Sequence, residues 1–185
     1  MKIKNFITVL FVAFILASCA PASETIPTDT AIPTITIHPR AENFAFIFQD
    51  YSCGSIPVNV LDSFNGTLIH TPLGDTTSVT ISLRLTDSEI ESIYQKAMSI
   101  GFFEYPAEFV IPDDQVLGYQ APSSKYQLSM TNGKMTNSVT WKDDTMTQPD
   151  YTKADDLREL INLINEILEL HPEMQTLPEP KALCL

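Results

Sequence analysis

An α+β fold, an antiparallel sheet of about five to six strands with two helices on one face, is what residues 41–185 predict. Three observations lead there. Strand-like runs come in pairs around Asn65-Gly66 and Asn132-Gly133, the strongest short hairpin signal. Two stretches carry apolar residues at helical spacing, 86–100 and 153–170. The strands are joined as hairpins, with no alternating strand–helix–strand pattern that would call for a parallel sheet.

The elements follow in chain order. Phe44 to Phe48 is an aromatic and aliphatic run with strand character, broken by Ser52-Cys53-Gly54-Ser55. Ile56 to Phe64 reads as a second strand. Thr67 to Thr71 returns across a two-residue type I′ turn at Asn65-Gly66. Pro72 and Gly74 mark a loop. Ser78 to Leu85 has period two, with Val79, Ile81, Leu83 and Leu85 on one face.

Thr86-Asp87-Ser88-Glu89 is a capping box that starts the first helix. Ile90, Ile93, Tyr94, Ala97 and Ile100 form its stripe, Gly101 its stop, and Phe102-Phe103 pack under its end. Pro106 and Pro112 punctuate an irregular stretch through about Ser124. Lys125–Thr131 and Lys134–Lys142 form a second hairpin with the same I′ signature, with Met135, Val139 and Trp141 on one arm. Asp150 or Thr152 caps the longest helix, about 153–170. Pro172 ends it, and the last dozen residues have no pattern of their own unless Cys184 pins them.

Ahead of this domain, Lys2 and Lys4 precede an apolar run from Phe6 to Leu16, and then Leu16-Ala17-Ser18-Cys19. The run is about a dozen residues, too short for a bilayer core of roughly 30 Å. A basic start, a short apolar stretch and small residues before a cut describe a secretory signal. With the cysteine, residues 1–19 resemble a bacterial lipoprotein signal ending in a lipobox. That resemblance implies a signal peptide over 1–18, diacylglycerol on Cys19, and Cys19 as the mature N-terminus. Two or more acyl chains hold a protein stably at a membrane where one does not. It therefore implies a location on the cell membrane or outer membrane, with the domain facing away from the cytoplasm.

Residues 19–40 are the lipidated cysteine and a tether. Pro21, Pro27, Pro33 and Pro39 recur every six residues among threonines, which favours extended polyproline II over helix or sheet. At roughly 3.1 Å per residue such a stalk reaches on the order of 60 Å.

Formal net charge is −12, with 11 basic and 23 acidic side chains. Losing residues 1–18 removes Lys2 and Lys4 and no acid, so −12 becomes −14. Nucleic acid is a poor partner for such a domain, and an envelope protein or a cationic partner a better one.

Cys53 and Cys184 remain once lipid occupies Cys19, an even count in an exported chain. A bridge between them closes a loop of about 130 residues, for which the entropy model gives roughly 4–5 kcal/mol. Two free thiols are the other reading.

The domain resembles a family of bacterial lipoprotein domains of unknown function. The resemblance rests on Cys53-Gly54-Ser55-Ile56-Pro57, the Asn-Gly hairpin, the Leu85-Thr86 helix start with Glu89, Gly101-Phe102-Phe103 and a terminal helix. It covers most of residues 44–170. Members often carry a second cysteine in the early turn, which this chain lacks, so the resemblance implies a fold class and transfers no site.

Catalytic constellations are absent from the sequence, and no cofactor motif occurs. Of three histidines, His38 falls in the tether, His70 ends a hairpin strand and His171 ends the last helix, where the dipole favours an imidazolium. Cys53 as a nucleophile has no partner by motif. Asp143, Asp144 and Asp150 lie in the stretch best suited to a hard cation, yet it lacks the glycine and glutamate of an EF-hand loop, so no metal is expected. The leading expectation is a membrane-anchored, non-enzymatic binding or interaction module. The alternative is an envelope enzyme or inhibitor with a dispersed site, which a pocket gathering His70, Tyr119 and an acid would favour.

Overall fold

In the computed structural model the described residues are 42–52 and 54–184. The signal, Cys19, the tether, His38 and Cys53 therefore lie outside them. The seven strands are β1 (Ala45–Asp50), β2 (Asn59–Asp62), β3 (Thr67–His70), β4 (Val79–Ser82), β5 (Glu108–Phe109), β6 (Val116–Thr131) and β7 (Thr136–Thr147). Among the described residues the two α-helices are α1 (Asp87–Ser99) and α2 (Thr152–Leu170).

The fold is α+β, and the sheet differs from expectation in number and direction. It has seven strands in the order β4-β3-β2-β1-β6-β7-β5, and β5 runs parallel to β7. The extra strand comes from the proline-punctuated stretch that reads as irregular. Between Pro106 and Pro112, Glu108 and Phe109 stay extended, and Thr140 donates its backbone N–H to Ala107 at 2.8 Å. Phe109 then packs its ring against Trp141 at 5.7 Å. That aromatic contact and the ladder outweigh the two prolines, which sit outside the pair. The same stretch also holds the first half of β6, which begins at Val116.

Side-chain alternation divides the sheet. Phe46, Phe48, Leu61, Leu68, Leu128, Met130, Val139 and Trp141 are buried in one core cluster. Ile93, Tyr94 and Ala97 of α1 belong to it, as do Leu157, Leu160, Ile161, Ile164 and Leu168 of α2. Burying such side chains is worth about 1.5–3 kcal/mol each. The opposite face carries Ile47, Gln49, Val60, Thr67, Ile69, Gln127, Ser129 and Thr140, all exposed or half-exposed.

The capping box at Thr86 is present: Thr86 Oγ1 accepts from Glu89 N–H, and Glu89 Oε2 accepts from Thr86 N–H at 2.6 Å. Gly101 follows α1 at φ +67°, and Phe102 behind it is fully buried. At α2 the expectation fails: the N-cap is Tyr151, without a side-chain cap bond. Aromatic burial sets that boundary, since Tyr151 packs against the core.

Neither Asn-Gly hairpin has a two-residue turn. Asp62 pairs with Thr67, and Thr131 with Thr136, so each loop holds four residues. A side-chain acceptor closes each loop. Asp62 Oδ1 takes N–H bonds from Phe64 and Asn65 at 2.9 and 3.0 Å. Asn132 Oδ1 takes them from Lys134 and Met135 at 3.0 and 2.8 Å. Such Asx turns compete with the tighter backbone turn. Met135 thus lies in the loop and is exposed.

The expected strands over 56–64 and 78–85 are shortened to β2 and β4. β4 is the sheet edge, which leaves Val79 exposed while Leu83, just beyond it, is buried.

The C-terminal tail is held in place. Lys181 and Ala182 donate backbone N–H groups to Leu73 O at 2.8 and 3.1 Å, and Lys181 Nζ pairs with Asp75 at 2.6 Å. His70 lies 2.8 Å from Asn59 Oδ1 and 3.2 Å from Pro178 O. Cys184 is disulfide-bonded.

Candidate functional site

β6 and β7 form a long antiparallel ribbon, and its register fixes the site. Pairing is regular from Thr131–Thr136 to Ser124–Asp143 and resumes at Tyr119–Thr145. Gln120, Ala121, Pro122 and Ser123 are therefore set against the single residue Asp144. The Ala121–Pro122 peptide is cis. Bulges of this kind bend a strand and re-aim side chains, and they cluster at functional sites.

On the open face the bulge makes a wall. One concavity of about 560 Å³ lies between it and the end of β1, lined by Tyr51, Ser55, Tyr119, Gln120, Lys125 and Lys142 among others. A second of about 480 Å³ lies between β7 and residues 108–116. The two share Tyr119, Lys125, Lys142 and Asp144.

Charge makes this end of the sheet distinctive. Lys125 and Lys142 stand directly opposite each other across the ladder. Like charges so placed are destabilising. Each is compensated locally: Lys125 Nζ lies 5.1 Å from the centroid of the Tyr51 ring, and Lys142 Nζ lies 2.7 Å from Asp144 Oδ2. Tyr51 is itself held, its hydroxyl donating to Gln49 Oε1 at 2.7 Å. Tyr119 is 77% exposed, a large ring without cover.

The other face of the ribbon anchors the site. Arg158 of α2 donates to both Asp143 oxygens, at 3.1 and 2.8 Å, to Asp155 at 2.6 Å and to Thr145 O at 2.7 Å. Its guanidinium lies 5.3 Å from the Trp141 ring. The hydrogen bonds that Arg158 donates to Asp143 raise its pKa further, so the cation is permanent. Since strand side chains alternate, fixing Asp143 inside fixes Lys142 and Asp144 outside. Nearby, burial raises the Asp50 carboxyl against two opposing bonds from Ser52, and burial likewise raises the Tyr126 phenol.

Two further concavities exist. One of about 480 Å³ lies under the tail, lined by Gly54, Ser55, Ile56, Thr71, Leu73 and Cys184 among others. One of about 360 Å³ lies by the first hairpin tip and is largely apolar, with Phe64, 82% exposed, at its rim.

The residues singled out from sequence separate as follows. Asp143 is consumed by Arg158, Asp144 points to the other face beside Lys142, and Asp150 lies past the end of β7. The cation loop is mostly strand, and pleating sends its two adjacent carboxylates apart. Among the described residues no group of three or more His, Cys, Asp or Glu side chains is placed to hold a metal ion. His70 pins the tail and lines none of these four concavities, so none of the four gathers it with Tyr119. His171 is the C-cap of α2, 3.3 Å from Glu89 Oε1 and 3.7 Å from Glu173 Oε2. Glu89 lies below its usual range although burial opposes this; the Thr86 bonds and His171 prevail. Lys125, Lys142 and Tyr51 were not visible as site residues, because only the four-residue loop brings Lys125 opposite Lys142. A two-residue turn would have set Lys125 against Thr140.

No helix among the described residues is long and apolar enough to cross a membrane. No protein-family model matches the sequence, and none of the curated proteins does.

Proposed function

We propose that this chain is a membrane-anchored, extracytoplasmic binding module, held by lipid on Cys19 and lifted by the stalk of residues 20–40. Its ligand face is the open side of the sheet. One observation carries the reading: among the described residues the helices cover one side of the sheet, and its other side becomes concave at a bulge and there gathers aromatic, ammonium and carboxylate side chains. Catalysis needs a nucleophile or a matched acid–base pair within reach of one reacting atom. The groups lining this concavity are better suited to holding a ligand.

The disulfide at Cys184 supports an oxidising compartment outside the cytoplasm. Cys53 is the partner we assign. Its neighbours Gly54 and Ser55 line the same concavity as Cys184, while Cys19 is reserved for lipid.

Anchoring and binding are tested separately. The wild-type chain, expressed in a bacterium with radiolabelled palmitate, takes up label and sediments with membranes, whereas Cys19→Ser does neither. A Cys19→Ser chain that keeps its label would overturn the anchor. For binding, the full chain on beads retains envelope polymers from its host, and substitutions on the open face release them. Retention unaffected by any open-face substitution would overturn the ligand face.

A further inference from the structure

The two concavities at the bulged end of β6 and β7 share one wall, and that wall has a definite chemistry. It offers an exposed phenol ring at Tyr119, two ammonium groups at Lys125 and Lys142, and one carboxylate at Asp144. Around it the first concavity adds the Tyr51 ring, the Ser55 and Ser123 hydroxyls and the Gln120 amide, and the second adds the Thr140 hydroxyl and the Glu108 and Asp113 carboxylates, acceptors for ligand hydroxyl groups. At about 560 and 480 Å³ each falls within the range of roughly 300–1,000 Å³ typical of small-ligand sites.

We propose that these two chambers form one site for an acidic oligosaccharide, a sugar chain carrying carboxylate groups; the inference rests on reading the open face as a ligand face. Aromatic faces stack on the apolar side of a sugar ring. Hydroxyl and amide side chains, with Asp144 as acceptor, match its hydroxyl groups. Lys125 and Lys142 take the carboxylate, which relieves the opposition of two like charges on neighbouring strands. The Lys142–Asp144 pair yields readily to a ligand. Its side chains are 64% and 26% exposed, and such pairs contribute little.

Other ligand classes fit less well. A peptide docking on a sheet takes main-chain hydrogen bonds from a free edge. Here the backbones of β6 and β7 bond each other from Ser124 to Thr131, and the site offers side chains on a face. A nucleic acid, a long polyanion, meets the long-range repulsion of a chain with net charge −12 along its whole length. A short acidic sugar chain satisfies the local cations at a smaller total charge. A lipid would need the apolar lining of the concavity by Phe64, which lies elsewhere on the sheet.

Titration calorimetry on the full lipidated chain, in a detergent without a sugar headgroup, tests this with three probes: a galacturonate tetramer, neutral cellotetraose and tetraglutamate. The tetramer is expected to bind one to one, at least tenfold tighter than cellotetraose. The double substitution Lys125→Met with Lys142→Met should weaken it tenfold or more while leaving cellotetraose unchanged. Tyr119→Ala should weaken both sugars. Circular dichroism identical to wild type assures that these surface changes leave the fold intact. Equal affinity for charged and neutral sugars, no effect of the lysine pair, or no sugar binding would overturn the proposal. Tighter, lysine-dependent binding of tetraglutamate would overturn the sugar class but leave the ligand face standing. New reducing ends from the tetramer, lost in the double variant, would uphold the site and overturn the non-enzymatic reading instead.

Discussion

Arg158→Met is expected to destabilise the domain by about 2–4 kcal/mol. The substitution keeps the long aliphatic stem and deletes the charge. Five hydrogen bonds disappear, three of them to Asp143 and one to the carbonyl of Thr145. Asp143 is left with a side chain only 13% exposed and no counter-charge. Removing one partner of a fully buried pair costs roughly 3–5 kcal/mol. Arg158 is 24% exposed, so water recovers part of that. Losing the contact with Trp141 adds about 0.5–1 kcal/mol. The loss follows from stranding a carboxylate more than from the worth of the pair itself. Arg158→Met combined with Asp143→Leu should therefore recover most of the stability and come within about 1 kcal/mol of wild type. Urea unfolding monitored by circular dichroism, without reductant, measures all four corners of the cycle. A single-variant loss below about 1 kcal/mol, or a double variant whose loss is the sum of the two singles, would refute the reasoning.

Three further outcomes are expected. Cys184→Ser removes the covalent hold on the tail and should lower stability by up to roughly 4–5 kcal/mol on the chain-entropy view, with reductant lowering wild type by the same amount and the variant by nothing in urea unfolding. Gly66→Ala should cost about 1–2 kcal/mol: Gly66 sits at φ +64°, and a Cβ there would meet Arg84 Cγ at 2.6 Å. Tyr105, its phenol pushed up to about 12 by burial and then by the nearby Asp156 charge, donates to Lys153 O at 2.8 Å. A folded-state value raised above the unfolded one means stability is fully present below about pH 10 and is lost as pH rises towards 12. Tyr105→Phe should flatten that alkaline limb in a pH series of urea midpoints and lower neutral-pH stability by about 1 kcal/mol. An unchanged limb would mean that another group controls it.

Local signals were legible and spatial partners were not. The capping box at Thr86 and Glu89, the Gly101 stop and the apolar stripe of α2 are read within a few residues of chain, and each is present. β5 escaped because its cause is 32 residues away, in the packing of Phe109 on Trp141. The tail escaped similarly: its hold on Leu73 and Asp75 spans about a hundred residues, and nothing local in Pro178 to Ala182 announces it. At both Asn-Gly turns the dipeptide signal was real, yet the acceptor that sets loop length differed. In one it is Asp62, ahead of the dipeptide, and in the other Asn132 itself.

Turn chemistry thereby decides the site. Lengthening the second hairpin loop from two residues to four preserves which face each side chain takes, because the shift in pairing is even. It changes who stands opposite whom. Lys125 moves from beside a threonine to beside Lys142, and two cations meet on the open face of an acidic chain. Such an arrangement is unfavourable unless something answers the charge, and here Tyr51 and Asp144 answer only part of it. If the loop were an accident of folding, Lys142→Thr would simply stabilise the ladder. If the pair is kept for a ligand, the same substitution should raise stability by a few tenths of a kcal/mol while weakening the galacturonate tetramer tenfold or more. Measuring both on one variant separates the two causes. A gain in stability with no loss of affinity would assign the lysine pair to chance rather than to binding.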